Sequence, residues 1–337
     1  MPERAKNQLS HQIAHVLQDL AVWDTLSSSE CKEIALFVAA SLPPAFHFAR
    51  IETYGAGQQR HHMALFEWQE SSQQSSSLFV LIPGSTVTLG YDQTRISIPD
   101  EQFIREWLEY LEDGEVERAI LPADVAAFSA HVKEKLLPPR TTTLQPFLLE
   151  TVAQEASLLL PPPVMTYHRF KAQWHGQVPV KYFLSDPYRQ WSRLDSFDRG
   201  RYHVIPHRHV VAFLKQQGFR LPSSDEWEYA CAAGSHTLFY WGNWEFLMGE
   251  NAPVPYALPN AFGLSIANNP YQREYCSDPT VMRGGDGGEA FCGAEGELAS
   301  HLPLASAYVY YLSEEEMVQG AMSARLRRVL DLVSLFE

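Results

Sequence analysis

The chain has 337 residues, a formal net charge of −14 and a hydrophobic content of 45%. That length suffices for one large or two modest domains with a sizeable buried core. The acidic balance argues against a nucleic-acid backbone or an anionic membrane surface as a partner, because both require a basic face. No apolar run approaches the ~18 residues that a membrane-spanning helix needs.

The four cysteines are too few and too scattered to form a disulfide scaffold in a chain of this size. The polar N-terminus lacks the apolar core of a signal peptide. These features predict a cytoplasmic protein with reduced thiols. They leave a small molecule, a peptide or a protein as its substrate or partner, and they leave the oligomeric state open.

Residues 1–77 are predicted to form a helical N-terminal region that ends in a Ser- and Gln-rich linker. His61, His62 and Glu67 raise the possibility of a metal site. Adjacent histidines, however, point to different faces of a helix or a strand. A polar strand over residues 61–68 is therefore favoured over a metal site.

Beyond the linker the apolar run 78–82, a Pro-Gly turn and residues 86–89 predict a pair of strands. Residues 100–136 are predicted to form an acidic helical insert, which could serve as a lid, a partner surface or packing. The proline- and aromatic-rich residues 161–202 are expected to form ordered loops. A C-terminal helix is predicted over residues 313–337.

A short helix between Gly218 and Gly234 carries a full set of local signals. Ser223 and Glu226 have the spacing of a capping box. Trp227 begins an apolar stripe at helical spacing, and the two glycines suit the ends of this helix and of the preceding one. The pattern predicts a helix anchored by Trp227.

Several segments resemble, in order, the signatures of the formylglycine-generating enzyme (sulfatase-modifying factor) family. Residues 220–230 read RLPSSDEWEYA, where the family has RLPTEAEWEYA. Residues 79–90 are similar to its opening IPGGTFTMG strands, residues 240–243 to its PWGN, residues 260–278 to its NAFGLYDMHGNVWEWCSD and residues 281–285 to its VLRGG. The resemblance implies, for residues 78–312, an irregular α+β fold of the C-type-lectin-like kind. The family usually finishes on a GFR strand, which is not expected here.

In this family two cysteines after the RGG motif bind copper as thiolates, and the metal uses oxygen to oxidise a substrate cysteine. The first cysteine position is occupied here by Glu289, and only Cys292 lies near the second. One thiolate cannot reproduce a two-sulfur site, so formylglycine generation is not expected. Cys292 and Cys276 are the candidate catalytic residues of a rearranged site that could hold copper.

The resemblance suggests two further metal sites. Iron-dependent relatives use histidines, and His207 and His209 could chelate together if their segment is extended, since residues at i and i+2 then share a face. Family members often hold a structural calcium ion with loop oxygens, for which Asn243 and Glu274 are the candidates.

The family's active groove maps to the segment after the RGG motif and to the loops near it. Arg283 would bind a carboxylate there, with Trp241 and Tyr271 as aromatic walls. Alternatively, Arg283 satisfies buried carbonyl groups. The resemblance leaves two hypotheses, a metal-dependent oxidoreductase with a rearranged site or a non-catalytic binding or structural module. We expect the second if the insert or the C-terminal segment covers the groove.

Overall fold

A computed structural model describes residues 12–69, 76–92, 94, 101–160, 205–243, 255–293, 296–321 and 324–332. Helices and mostly antiparallel sheets are mixed along the chain, which confirms the predicted α+β class. The expected loops over residues 161–202 lie outside the described residues, as does the start of the predicted N-terminal helix.

The elements follow the chain in an irregular order. The helices are α1 (Leu20–Trp23), α2 (Ser28–Ser41), α3 (Glu101–Glu112), α4 (Pro122–Lys135), α5 (Ala156–Leu159), α6 (His207–Gln216), α7 (Ser224–Ala232), α8 (Glu289–Gly293), α9 (Glu297–His301) and α10 (Glu314–Gln319). The strands are β1 (Phe46–Ala56), β2 (Gln59–Gln69), β3 (Ser76–Ile82), β4 (Ser85–Leu89), β5 (Arg140–Leu144), β6 (Phe147–Glu150), β7 (Gln154–Glu155), β8 (Arg273–Tyr275), β9 (Val281–Arg283), β10 (Tyr310–Tyr311), β11 (Ala324–Leu326) and β12 (Val329–Asp331).

The larger sheet has the order β1-β2-β3-β6-β12, and every neighbouring pair in it is antiparallel. The predicted helical N-terminal region is therefore wrong for residues 46–69, which form the two longest strands of this sheet, whereas the strand favoured over residues 61–68 is confirmed within it. The sheet also crosses the predicted boundary at residue 77. β1 and β2 bury their apolar side chains in the same core as β3 and β6, so the N-terminal region is part of one continuous structure.

His61 connects the N-terminal helices to α7 and does not form a metal site. The ring lies in β2, as the sequence pattern favoured, and is buried. Its Nδ1 lies 2.8 Å from Asp24 Oδ1, and its Nε2 donates to the carbonyl oxygen of Ala233 at 3.1 Å. Both ring nitrogens are thereby used to dock α1 and β2 against the end of α7.

The second sheet has the order β10-β9-β8-β11-β7, and β8 and β11 pair in parallel. The predicted C-terminal helix is wrong beyond Gln319, because β11 and β12 follow α10. Both strands enter sheets built from earlier residues. The expected absence of a terminal strand is therefore also wrong, and residues 324–331 add one strand to each sheet.

The strand after the Pro83-Gly84 turn also finds a different partner from the one predicted. β4 does not return along β3 but pairs with β5 in a separate two-stranded sheet. Between these two strands lies the insert, which forms α3 and α4 as predicted and buries Phe103, Trp107 and Phe128.

The helix predicted from residue 223 forms as α7. Ser223 Oγ accepts the N–H of Glu226, and the Glu226 carboxylate accepts the N–H of Ser223, so the capping box is complete. Ala233, with φ 47°, takes the left-handed position after the helix, ahead of the predicted Gly234. None of the described helices is long and apolar enough to cross a membrane.

The burial of Trp227 yields a stability prediction. Its side chain is 0% exposed, so Trp227→Ala should lower the free energy of unfolding by about 3–5 kcal/mol. Urea denaturation followed by far-UV circular dichroism measures this. Tyr311→Ala is the matched control, because Tyr311 is 65% exposed and its truncation should change stability little. An equal loss in both variants would contradict the anchoring role of Trp227.

Candidate functional site

The segments that resemble the family meet at α7 through buried charged side chains. Glu228, only 2% exposed, accepts hydrogen bonds from two arginines, Arg140 Nη2 and Arg283 Nη2, both at 2.7 Å. Its second oxygen accepts the backbone N–H of Gly90 at 2.6 Å. One carboxylate thus joins α7 to β5, to β9 and to the end of β4. Such a buried charge is tolerated only because it is paired and hydrogen-bonded on every side.

A second buried carboxylate, Glu274, holds β8 to α7 and to the C-terminal segment. Glu274 Oε2 accepts the indole N–H of Trp227 at 2.9 Å and the Nε of Arg327 at 3.0 Å, and Oε1 accepts Arg327 Nη2 at 2.8 Å. Arg327 is 0% exposed. Because its guanidinium neutralises both carboxylate oxygens, Glu274 does not act as the predicted calcium ligand in this structure.

All the guanidinium N–H groups of Arg283 are also used in hydrogen bonds within the protein, which decides between the two roles predicted for this residue. Its five N–H groups donate to Ser224 Oγ and O, Ser306 O, Tyr308 O and the Glu228 carboxylate at 2.6–3.2 Å. The side chain is 0% exposed. It therefore satisfies buried carbonyl groups and cannot bind a substrate carboxylate as predicted.

The backbone of the RGG motif packs against the same helix. Gly284 adopts φ +80°, and a Cβ at this position would lie 2.9 Å from the Trp227 ring. A Cβ on Gly285 would lie 2.1 Å from the carbonyl oxygen of Gln272. Asn260 binds the other end of α7, where its Nδ2 donates to the carbonyl oxygens of Ala230 and Cys231. The glycines and Asn260 thus have structural roles.

The two candidate catalytic cysteines occupy opposite environments. Cys276 is 0% exposed, and burial raises the pKa of its thiol to about 12, so it is protonated at neutral pH. Cys292 lies on α8 and is exposed, with its Sγ 3.5 Å from the hydroxyl of Tyr271. A thiolate is the form that binds metals, and Cys276 is poorly suited to supply one.

The predicted pairing of His207 and His209 is wrong because their segment is helical. Both lie in α6, where residues two apart are about 200° apart around the axis. His207 is buried and its Nε2 donates to the carbonyl oxygen of Cys276 at 2.7 Å, while His209 is exposed. The two rings therefore do not share a face.

Asn243 closes a local turn, with Oδ1 accepting the N–H of Leu238 at 2.9 Å. Asn243 and Glu274 therefore do not form the predicted calcium site together, since the Glu274 carboxylate binds Arg327. Across the described residues, no group of three or more His, Cys, Asp or Glu side chains is arranged to hold a metal ion.

The two predicted aromatic walls are separated but linked by other rings. Trp241 is 3% exposed and stacks on Phe239 with a centroid distance of 4.6 Å. Tyr271 is half-buried beside Cys292. The rings that connect them, each 5.7–5.9 Å from the next, are Tyr256, His301 and Phe291. Of the predicted site residues the structure brings Tyr271 and Cys292 together, whereas Arg283 belongs to the buried network.

The segment after the RGG motif lies against the insert on one side. A small cavity there is lined by His131 and Lys135 of α4 together with Asp286, Glu289 and Tyr308. The Glu106 carboxylate of α3 accepts the N–H of Glu297 at 2.9 Å. Burial, and then the nearby Asp286 carboxylate, raise the pKa of Glu289. Asp286 itself accepts backbone N–H groups of α8. α3 and α4 thus border this segment on one side, while Glu289, Phe291 and Cys292 remain exposed.

Scanned against protein-family models the chain matches none, and a search of curated proteins returns no match either. The family resemblance therefore stays a prediction carried by the sequence segments themselves.

Sequence reasoning missed the basic residues near the C-terminus. Arg327 and Arg328 are both buried, and Arg328 forms an ion pair with Glu150 at 2.5 Å. The available signal was a pair of charges inside the apolar run Leu326 to Leu330, which suits a solvated helix poorly and indicates buried, paired arginines.

Thiol reactivity follows from the cysteine environments. In the native protein only Cys292 should react with an aromatic disulfide reagent, because the other three cysteines are buried. In denaturant all four should react. Cys292→Ser should abolish the native reaction while leaving three thiols in the denatured chain. Rapid native labelling of Cys276, located by peptide mass spectrometry, would contradict its burial.

The pair formed by Glu274 and Arg327 gives a second prediction. Arg327→Met should destabilise the protein by about 3–5 kcal/mol, since it leaves a buried carboxylate without its cation. Adding Glu274→Gln should recover part of this loss, because the amide oxygen can still accept the Trp227 N–H without a net charge. A double-mutant cycle in urea measures the coupling. Strictly additive losses would refute a direct interaction.

Proposed function

We propose that this chain has kept the sulfatase-modifying-factor scaffold, with its C-type-lectin-like fold, as a non-catalytic binding or structural module. The observation that carries the proposal is that Arg283, Glu274 and Trp227 all form buried hydrogen bonds inside the core. Trp227 and Arg327 donate to Glu274, and Arg283 donates to Glu228. Each of these residues lies in a segment that resembles the family. What the chain shares with the family therefore serves to assemble the fold.

The residues that would perform the family's chemistry support the same proposal. Glu289 stands at the first cysteine position, and Cys292 is an exposed thiol without a second cysteine described beside it. A soft ion such as Cu(I) favours thiolate ligands, and the buried, protonated Cys276 does not provide one.

The insert adds a third argument. It contributes His131 and Lys135 to the cavity beside Glu289, and α3 binds the start of α9. The insert thereby covers one side of this segment, where a catalytic groove would have to admit a peptide. The acidic insert instead presents an exposed outer face, with Tyr110, Leu111 and Leu121 among its exposed apolar side chains.

The second candidate function is a metal-dependent oxidoreductase with a rearranged site. The contact between Cys292 Sγ and the Tyr271 hydroxyl favours it, because an exposed thiol beside a phenol is chemically accessible. Under this alternative Cys292 would be required for metal uptake.

Metal content and peptide conversion distinguish the two candidates. The purified chain, incubated with copper or iron and desalted, should retain no stoichiometric metal by plasma mass spectrometry. It should not convert the cysteine of a sulfatase-type peptide into an aldehyde, as followed by peptide mass spectrometry.

Glu289→Cys is the positive control for uptake, since it places two thiols at i and i+3 on α8, where side chains are neighbours. Cys292→Ser is the matched negative control. Stoichiometric copper or iron that disappears in Cys292→Ser, or aldehyde formation by the unmodified chain, would overturn the proposal in favour of the oxidoreductase.

A further inference from the structure

The outer edge of the larger sheet is formed by β1. This strand has 11 residues and pairs on one side with β2, so it offers an edge about 36 Å long. Hydrogen bonding alternates along an antiparallel strand, and every second residue of β1 directs its N–H and C=O away from β2. No described strand pairs with that outer side. A long exposed edge of this kind is a template for another strand.

The hairpin turn determines which residues point outward. Ala56 and Gln59 pair across a two-residue turn that begins at Gly57, with φ +57°. Such a turn is closed by a hydrogen bond between its flanking residues. Every second residue back from Ala56 has the same orientation, so Glu52 and Arg50 direct their backbone groups toward β2. Ile51 and Thr53 therefore present theirs at the edge.

The charges on this strand are self-complementary. Arg50 and Glu52 are two residues apart and so lie on the same face. They form an ion pair with Nε 2.7 Å from Oε2, and their side chains are 53% and 40% exposed. Because the two charges are opposite and flank Ile51, a two-fold rotation about Ile51 exchanges their positions.

We propose that β1 is a dimerisation edge, on which β1 of a second copy of this chain pairs in antiparallel orientation about a two-fold axis at Ile51. Arg50 of each copy then lies opposite Glu52 of the other. Side chains directly opposite each other have Cβ atoms about 4.5–5.5 Å apart, and opposite charges there are stabilising. The ion pair within each strand becomes a network of four charges across the interface.

Charge also selects this register over its neighbours. An axis at Arg50 would place the Arg50 side chains of the two copies opposite each other. An axis at Glu52 would likewise oppose the two Glu52 carboxylates. Like charges directly opposite are destabilising. An axis at Thr53 would oppose Glu52 with Tyr54 and form no ion pair between the strands. The axis at Ile51 is therefore the one favoured by the charges.

The assembly closes at two copies. An isologous interface uses the same edge of both subunits, so it leaves no second β1 edge exposed. The opposite edge of the sheet is β12, three residues long, where Val329 exchanges backbone hydrogen bonds with Arg220 at 2.9 and 3.1 Å. A β-bulge between Phe48 and Arg50 also limits the length of the ladder. A dimer, and not a filament, is the expected product.

Light scattering on the eluting full-length chain, over a dilution series, tests the dimer. The parent should show twice the 38.2 kDa monomer mass at the higher concentrations. Arg50→Glu and Glu52→Arg should each be monomeric, because each puts like charges across the axis. An equimolar mixture of these two variants should regain the dimer mass, since opposite charges then face each other again.

The matched controls are Lys133→Glu and Glu134→Lys on the exposed face of α4, which change charge equally and should leave the dimer intact. Circular dichroism checks that every variant is folded. A monomeric parent at all concentrations, or a dimer unchanged by both reversals on β1, would overturn the proposal. A mixture that stays monomeric would do the same.

Cysteine cross-linking tests the register. In a Cys292→Ser background, Ile51→Cys should form an intermolecular disulfide on oxidation, because an opposed hydrogen-bonded pair has Cα atoms about 5.5 Å apart. Thr53→Cys should not, since its copies would lie well beyond the ~7 Å limit for a disulfide. Efficient cross-linking at position 53 and none at position 51 would refute the axis at Ile51.

Discussion

The structure depends on carboxylates that are buried inside the fold and neutralised by arginines from distant parts of the chain. Glu274 is the central case, since it accepts hydrogen bonds from Trp227 and from Arg327. A buried carboxylate is costly unless its partners are present together, so β8, α7 and the C-terminal segment stabilise one another only when all three are in place. This requirement makes the last strands part of the core.

The same requirement limits what these residues can do for function. A guanidinium whose N–H groups are all used, as in Arg283, has none left for a ligand. Site chemistry needs side chains whose polar groups are not all used inside the core, and the network leaves few of them among the motif residues. Cys292 is exposed on α8, and Tyr271, half-buried beside it, likewise lies outside the network.

Sequence reasoning succeeded where the signal was local and failed where the partner was distant. The capping box of Ser223 and Glu226 is complete within four residues, so it predicted α7 correctly. The segment near Arg327 has helical spacing of apolar residues, yet it forms strands, because β6 and β8 supply partners that local spacing does not reveal. The predicted pairing of His207 and His209 assumed an extended segment, in which residues two apart share a face. Because α6 begins at His207, the two side chains lie on different faces of a helix.

The separation between network and surface also bears on the proposed loss of a catalytic cysteine at position 289. Glu289 makes none of the buried ion pairs of α7 and β8, and its carboxyl lies beside a small cavity under the insert. A change at that position alters the chemistry of the segment after the RGG motif but leaves Arg283, Glu228 and Glu274 paired. The fold and any chemistry at position 289 would therefore depend on different residues. Selection that maintains the first does not by itself maintain the second.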